Sequence, residues 1–357
     1  MNSLSPGSTI GILGGGQLAR MLALAAARLG LKCHIFAPEV DSPAFAVSAA
    51  HTIADYRDET ALAAFASAVQ VVTYEFENVP VEAVRFLETL VVVRPGSRPL
   101  AVAQDRLNEK SLARELGALT ADFRAVFNFE ELQKAAKDIG LPAILKTIRM
   151  GYDGKGQARI ASEADLLPAF AAMKGAPAIL ESFVHFEQEI SVICARGADG
   201  QFAAYDAPEN VHRDHILHTS TVPAALDEML ATEAIFVAQR MAEALDYVGV
   251  MAVEFFVGGD VLYVNEIAPR VHNSGHWTMD ACLISQFEQH IRAVAGWPLG
   301  STQRHSDVVM TNLLGDESAA WADLAAQPHV GLHLYGKGDA RPGRKMGHFN
   351  KIRPRQA

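Results

Sequence analysis

Two glutamates, Glu254 and Glu266, each interrupt an otherwise apolar run, and the two runs are separated by Gly258-Gly259-Asp260. A carboxylate is rarely buried without a counter-charge, because taking it out of water costs far more than a strand contact returns. The Gly-Gly-Asp segment reads as a hairpin turn. With three turn residues Glu254 stands opposite Val264, which leaves Glu266 on the same face one diagonal step away. Two carboxylates so placed, with the amide oxygen of Asn265 beside them, suit Mg²⁺, which takes hard oxygen ligands and bridges nucleotide phosphates. A buried ion pair with Arg270 or a histidine is the alternative reading.

Upstream, Lys146 ends an apolar run and is followed by Gly151-Tyr152-Asp153-Gly154-Lys155-Gly156-Gln157, with three glycines in seven residues. A lysine at a strand end can meet nucleotide phosphates, and such a loop can fold its N–H groups over them. The Walker spacing is absent, and a strand rather than a helix follows. Taken alone the loop is equally a surface hairpin. Just after Glu266, Arg270 offers a planar fork for a carboxylate, bicarbonate or phosphate, and His272 and Asn273 add donors within one turn of chain. The turn Gly14-Gly15-Gly16-Gln17-Leu18-Ala19 fits a dinucleotide fingerprint. Its geometry serves any phosphate, however, and no clean ribose-binding acid follows it. Near the C-terminus Lys337, Arg341, Arg344, Lys345 and His348 form a basic cluster that is either an anion site or a solvated tail.

The elements that carry these residues follow from periodicity. Residues 9–14 read as a strand, and Leu18, Met21, Leu22, Ala25 and Leu29 recur with helical spacing up to Gly30, a natural C-cap. Strands at 32–37 and 69–74 with a helix at 58–68 continue the alternation, predicting a parallel α/β unit over about the first hundred residues. A helix over 105–116 stops at Gly117. Short strands at 143–146, 158–160 and 178–181 flank the glycine-rich loop. Longer strands at 189–195, 249–257 and 261–267 predict an antiparallel sheet. Beyond about 296 a strand at 308–313, a helix at 318–326 and a strand at 330–335 precede a basic, glycine-containing loop. No repeat or low-complexity linker divides the chain.

A chain of 357 residues, 50% hydrophobic and 20% charged, is long enough for two or three domains with their own cores. The formal net charge of -10, from 31 basic and 41 acidic residues, argues against sequence-independent nucleic-acid binding. Cys33, Cys194 and Cys282 have neither metal-ligand nor disulfide spacing, and scattered thiols fit a reducing cytosol. No apolar run reaches membrane-spanning length and no signal segment opens the chain. A soluble, cytoplasmic protein is expected.

Taken in order, these segments resemble the N5-carboxyaminoimidazole ribonucleotide synthetase family of ATP-grasp enzymes in purine biosynthesis, over nearly the whole chain. The resemblance is carried by GILGGGQLARM (11–21), YEFENVP (74–80), QDRLNEK (104–110), ILKTIRMGYDGKGQ (144–157), ILESFVHFEQEIS (179–191), EFF (254–256), NEIAPRVHNSGHWT (265–278) and GRKMGHFN (343–350). One departure is Arg149-Met150 before the glycine-rich loop. The family implies an α/β and α+β fold of ATP-grasp architecture. It comprises a Rossmann-like N-terminal parallel-sheet domain (1–104), a small lid domain with the glycine-rich loop (105–184), and a mixed, largely antiparallel C-terminal domain (185–357). The last includes a substrate-binding subdomain from about 296.

It also implies roles. Arg106, Lys146, Lys155 and the loop Gly151, Tyr152, Asp153, Gly154, Gly156 and Gln157 would meet ATP phosphates. Glu181 to Val184 would take its adenine and Glu189 its ribose, with His212 nearby. Glu254 and Glu266 would hold Mg²⁺, and Asn265 would count with Glu266 among the ATP contacts. Arg270, His272 and Asn273 would stabilise carboxyphosphate formed from bicarbonate. Asp153 would bind the amine of aminoimidazole ribonucleotide, and Gly15, Gln17, Glu75, Lys337, Arg344 and Lys345 would contact that ribonucleotide. A homodimer is the family's common state. Competing readings are a sibling carboxylase or transformylase with the same ATP site, an NAD(P)-dependent oxidoreductase resting on the first glycine turn, and a non-catalytic nucleotide sensor.

Overall fold

The computed structural model describes residues 3–151 and 156–355. The N-terminal alternation is realised as β1 (Thr9–Leu13), α1 (Gln17–Arg28), β2 (Lys32–Ala37), β3 (Ala50–Ile53), α2 (Glu59–Ser67) and β4 (Val71–Tyr74). The strands make a parallel sheet in the order β3-β2-β1-β4. Ile10 and Ile12 of β1 pack with α1 on one face while Leu13 joins Leu62 and Phe65 of α2 on the other, so the strand is apolar throughout. Asp58 caps α2 by accepting from the Ala61 N–H at 3.0 Å. Gly30 leaves α1 at φ +72°, a conformation that favours glycine.

Two short helices, α3 (Val81–Glu88) and α4 (Ser97–Ala103), lead to α5 (Arg106–Glu115), capped by Asp105. After β5 (Leu119–Thr120) come β6 (Phe123–Val126), α6 (Phe129–Ile139), β7 (Ala143–Thr147), β8 (Gln157–Ile160), α7 (Leu166–Ala172) and β9 (Ala178–Ser182). Among the described residues these form an antiparallel sheet, β6-β9-β7-β8. Leu132, Ala136, Leu145, Leu166 and Leu180 give it a core of its own.

The rest of the chain supplies β10 (Gln188–Arg196), β11 (Phe202–Ala204), β12 (Glu209–Arg213), β13 (Ile216–Val222), α8 (Glu228–Ala244), β14 (Gly249–Gly258) and β15 (Val261–Ala268). These are followed by α9 (Thr278–Ala281), α10 (Gln286–Val294), β16 (Ser306–Leu314), α11 (Trp321–Ala325), β17 (Val330–Leu334) and β18 (Lys345–Pro354). Among the described residues one large sheet runs β17-β18-β16-β13-β12-β10-β14-β15-β5, with β11 on the far end of β10. Alternation assigns its faces. Val192, Cys194, Met251, Val253 and Phe255 pack under α8. Ile193, Ala195, Val250 and Ala252 point the other way, into a core shared with α1 and α10. Ser191, Glu254 and Phe256 continue that second face. No described helix is long and apolar enough to cross a membrane.

Three sequence expectations are corrected. The β14–β15 turn has two residues, since Gly258 pairs with Val261, and a bulge follows, so Phe255 faces Val264 but Glu254 faces Glu266 directly. Asn265 is the extra residue. It rephases β15 so that Leu262, Val264 and Ile267 all remain in the α8 core. The basic C-terminal loop is in part a strand: β18 starts at Lys345 and lies between β16 and β17. His348 is therefore fully buried and bonds the Tyr335 hydroxyl at 2.8 Å, so it is no surface anion contact. The helix expected over 318–326 divides into a 3₁₀ segment, Gly315–Ala320, and α11.

Candidate active site

A cavity of about 500 Å³ opens where the three sheets meet. The end of β4 contributes Glu75 and Glu77, α5 contributes Arg106 and Glu109, and β7 contributes Lys146. The central sheet contributes Glu189, His212, Glu254, Asn265 and Glu266, and the segment after β15 contributes Arg270, His272 and Asn273. Gln17, Gly151, Gln157 and Lys345 also reach its wall. Residues separated by up to some three hundred positions thus share one polar space.

At its centre Glu254 and Glu266 stand opposite each other across two strands. Like charges so placed repel. Burial, then Glu266, then Glu189 push the Glu254 carboxyl well above its ordinary range. Burial and Glu266 likewise raise Glu109 to about 8, and Glu109 accepts the Ile267 N–H. Arg106 lies 3.3 Å from Glu266, and His272 Nε2 lies 3.1 Å from Glu254. The bulge residue between the carboxylates, Asn265, has its buried amide oxygen without a hydrogen-bond partner. Two acidic groups and an unused carbonyl-type oxygen are the donor set of a hard divalent cation. Among the described residues no three His, Cys, Asp or Glu side chains are grouped to hold an ion, so other oxygens would have to complete its shell.

Arg106, Lys146 and Arg270 are each held by a carboxylate. Lys146 Nζ lies 2.8 Å from Glu181, and the buried Lys110 lies 3.4 Å from the same carboxylate. Burial opposes ionisation of Glu181, yet Lys146 and Lys110 hold it down at about 2. Burial lowers the Lys110 ammonium. Arg270 Nε donates to Glu77, and its Nη1 donates to the Val271 carbonyl at 3.1 Å. Burial opposes the charge on Arg270, but Glu77 outweighs it and raises the guanidinium above its usual value. Burial and then Arg270 lower His272 well below the ordinary histidine range, leaving a neutral ring. His212 Nδ1 lies 2.9 Å from Glu189.

The N-terminal glycine turn behaves differently from the phosphate cradle its sequence suggests. Glu75 fills the start of α1 from inside, accepting from the N–H of Gly16 at 2.5 Å and of Ala19 at 2.8 Å. A Cβ at Gly15 would collide with the Ser42 side chain, coming within 2.4 Å of its hydroxyl oxygen. Gly15 is thus required by the packing of a neighbouring loop. The 336–345 segment lies alongside: Gly338 approaches Asp41 and Gly336 approaches Arg20. Lys337 donates to the Lys345 carbonyl at 2.9 Å, and burial lowers its ammonium to about 8. Arg344 bonds the Asp339 carbonyl.

Lys337, Arg344 and Gly15 lie outside the cavity wall, Glu181 lies beneath it, and Val184 is half-buried in the link from β9 to β10. Gly156, at φ +71°, packs against Thr147. Met150, the departure from the family pattern, takes φ +63° and is exposed, a strained conformation at the mouth of the glycine-rich loop. Tyr152, Asp153, Gly154 and Lys155 fall outside the described residues. Glu77, Glu109 and Lys110 received no role from the sequence. Their signal was adjacent charges on the packed face of a capped helix and a second glutamate two residues beyond Glu75.

Family profiles match three consecutive stretches: a ribonucleotide synthetase preATP-grasp domain at 7–104, an ATP-grasp domain at 111–287, and a phosphoribosylaminoimidazole carboxylase C-terminal domain at 308–357. An N5-carboxyaminoimidazole ribonucleotide synthase of Brucella melitensis is 54% identical, the match covering 99% of this chain and 98% of that one. Among solved structures, the ADP complex of an N5-carboxyaminoimidazole ribonucleotide synthetase aligns with a TM-score of 0.95 at 43% identity, covering 98% of this chain and 94% of that one. The Aspergillus clavatus N5-carboxyaminoimidazole synthase in complex with ADP and 5-aminoimidazole ribonucleotide aligns with a TM-score of 0.92 at 31% identity, over 98% and 94% of the two chains.

Proposed function

The chain belongs to the N5-carboxyaminoimidazole ribonucleotide synthase family of ATP-grasp ligases, and from that premise we propose how its cavity carries out the ATP-dependent carboxylation of 5-aminoimidazole ribonucleotide. The observation that carries the proposal is the directly opposed pair Glu254 and Glu266 beside Arg270 and His272. An acyl-phosphate ligase needs negative groups to fix a cation on the nucleotide and, within reach, donors for the forming carboxyl phosphate.

Lys146 and Arg106 present their charges to the ATP phosphates, which take over from Glu181 and Glu266 as partners. The 181–184 link receives adenine and Glu189 the ribose, with His212 beside it. Glu254, Glu266 and Asn265 would hold Mg²⁺, which when bound draws charge from the phosphoryl oxygens. A bicarbonate oxygen attacks the γ-phosphorus, the bond to the bridging oxygen breaks, and ADP leaves with that electron pair. Arg270, with Nε fixed by Glu77, turns its remaining N–H edge to the carboxyl group. His272 and Asn273 donate to the same intermediate. The exocyclic amine of the ribonucleotide then takes the carboxyl carbon, directly or as CO₂ released inside the cavity, phosphate departs, and the amine loses a proton. Asp153 is assigned to that amine. Gln17, Gly15 and Glu75 are assigned to the ribonucleotide, with Lys337, Arg344 and Lys345 facing its 5′-phosphate.

We extend the proposal to a homodimer, a cytoplasmic location, and a division into 1–104, 105–184 and 185–357 with a substrate-binding piece from about 296. Sedimentation and limited proteolysis test the first and last. The activity itself is tested by ADP release with and without bicarbonate and 5-aminoimidazole ribonucleotide. Full turnover should need both, and ADP release indifferent to the ribonucleotide would overturn the reading.

A further inference from the structure

Behind the carboxylate pair a row of polar side chains crosses the large sheet where apolar ones would otherwise pack. Ser191 on β10 is the direct cross-strand partner of Glu254. Asn210 on β12 is paired with Glu189 of β10 on one side and with Ser220 of β13 on the other. Ser274, in the turn after β15, lies over this row. Ser191, Ser220 and Ser274 are 0% exposed and Asn210 is 6% exposed, so their polar atoms must be satisfied from within.

They satisfy one another in a single chain. Ser220 Oγ donates to Asn210 Oδ1 at 2.7 Å, and Asn210 Nδ2 donates to Ser191 Oγ at 3.0 Å. Ser191 Oγ and Ser274 Oγ are 2.6 Å apart, and Ser274 Oγ is 2.8 Å from His272 Nδ1. The other ring nitrogen, Nε2, meets Glu254 at 3.1 Å. One end fixes the direction. The Ser274 backbone N–H, which can only donate, points at Nδ1 at 3.4 Å, so Nδ1 carries the lone pair. An imidazole with a bare Nδ1 keeps its proton on Nε2, the nitrogen that meets Glu254. Ser191 already accepts from the Asn210 amide, which leaves its own O–H for Ser274, and Ser274 in turn has its O–H for the ring.

We infer that Ser274, Ser191, Asn210 and Ser220 form a positioning relay that locks His272 in the Nε2–H tautomer, so that the ring presents a donor rather than a lone pair to the cavity. A neutral imidazole has two tautomers, and the hydrogen bond made by one nitrogen decides what the other offers. The wrong tautomer would set a lone pair against carboxylate and carboxyl-phosphate oxygens. A row that merely filled space would need no direction and would be served as well by small apolar residues. The consequence for turnover rests on the reading of His272 as a donor to the carboxyl-phosphate intermediate. The tautomer itself does not.

Histidine ¹⁵N–¹H spectra of the ligand-free protein distinguish protonated from lone-pair ring nitrogens, and the His272 signal is assigned by its loss in His272→Asn. Wild type should show Nε2–H alone. Ser274→Ala and Ser191→Ala should each give a mixture of tautomers and lower turnover about 10- to 100-fold, with the KM for ATP little changed. Ser191→Thr, which keeps the hydroxyl, should restore both readouts. A wild-type ring protonated at Nδ1, or an unshifted tautomer in the alanine variants, overturns the relay. A mixed tautomer with wild-type turnover supports the relay and removes the donor role of His272, so the two readings fail separately. If one alanine variant does not fold, the other decides the matter.

Discussion

Two regions carry motifs that, in sequence, promise to bind charge: the glycine turn at the start of α1 and the hairpin bearing Glu254 and Glu266. Folded, they are opposites. The helix start has its anion built in, with the Glu75 carboxylate on the N–H groups of Gly16 and Ala19, the arrangement a helix dipole favours. The hairpin sets two carboxylates against each other and leaves Asn265 Oδ1 unused. One region has its helix N–H groups answered from within the chain. The other sets two carboxylates against one facing guanidinium, Arg106, an excess of negative charge that a cationic ligand can balance.

That contrast is tested most severely at Glu266. Glu266→Gln keeps the shape but removes one of the facing charges, and turnover should fall on the order of a thousandfold, the scale of several kcal/mol of metal-assisted charge stabilisation. Turnover near wild type would mean the pair is structural. Next comes Arg270→Lys. A lysine cannot both pair with Glu77 and present a planar edge to a carboxyl group. Bicarbonate-dependent ADP formation should drop about a hundredfold, while calorimetry finds ATP affinity almost intact. Joint loss of both would reassign Arg270 to nucleotide binding.

In the helix region, Glu75→Ala strips the helix start of its internal anion. A loss of about 2 kcal/mol is expected in urea unfolding at neutral pH, the scale of hydrogen bonds to a charged acceptor. Negligible loss would show that water serves the α1 N–H groups as well. The smallest effect has the opposite sign. Burial and Glu266 raise the Glu254 carboxyl in the ligand-free protein, so the folded state keeps a proton that the unfolded chain releases. The associated stability is fully present below the unfolded value, about pH 4, and is lost as pH rises through the folded one. Glu254→Gln should therefore stabilise the Mg²⁺-free protein by about 1 kcal/mol at pH 8, and hardly at all at pH 4. A gain independent of pH would trace instead to packing.

Local pattern made much of this molecule legible in advance. The N-terminal alternation, the capped α5, the hairpin and the two acid-bearing strands follow from periodicity and turn residues, which depend on neighbours along the chain. Residue type in its local context singles out Glu254, Glu266, Lys146, Arg270 and His272, and the family motifs add roles to them. Periodicity also marks the bulge: Leu262, Val264 and Ile267 break strict alternation at Asn265.

Other features have no local signature. Glu77 meets Arg270 across 193 positions, and Lys110 meets Glu181 across 71 by numbering. Nothing near Gly14 announces that Glu75 will reach the start of α1, and a basic C-terminal stretch gives no sign that Lys345 opens an internal strand. The sequence by itself determined which segments are strands and helices and which side chains could do chemistry, because backbone preference and amphipathic spacing are short-range. Only the tertiary structure decided which charges are balanced within the chain and which are crowded against their own kind, because that depends on sheet order and on a one-residue shift in register, set by the packing of the whole chain.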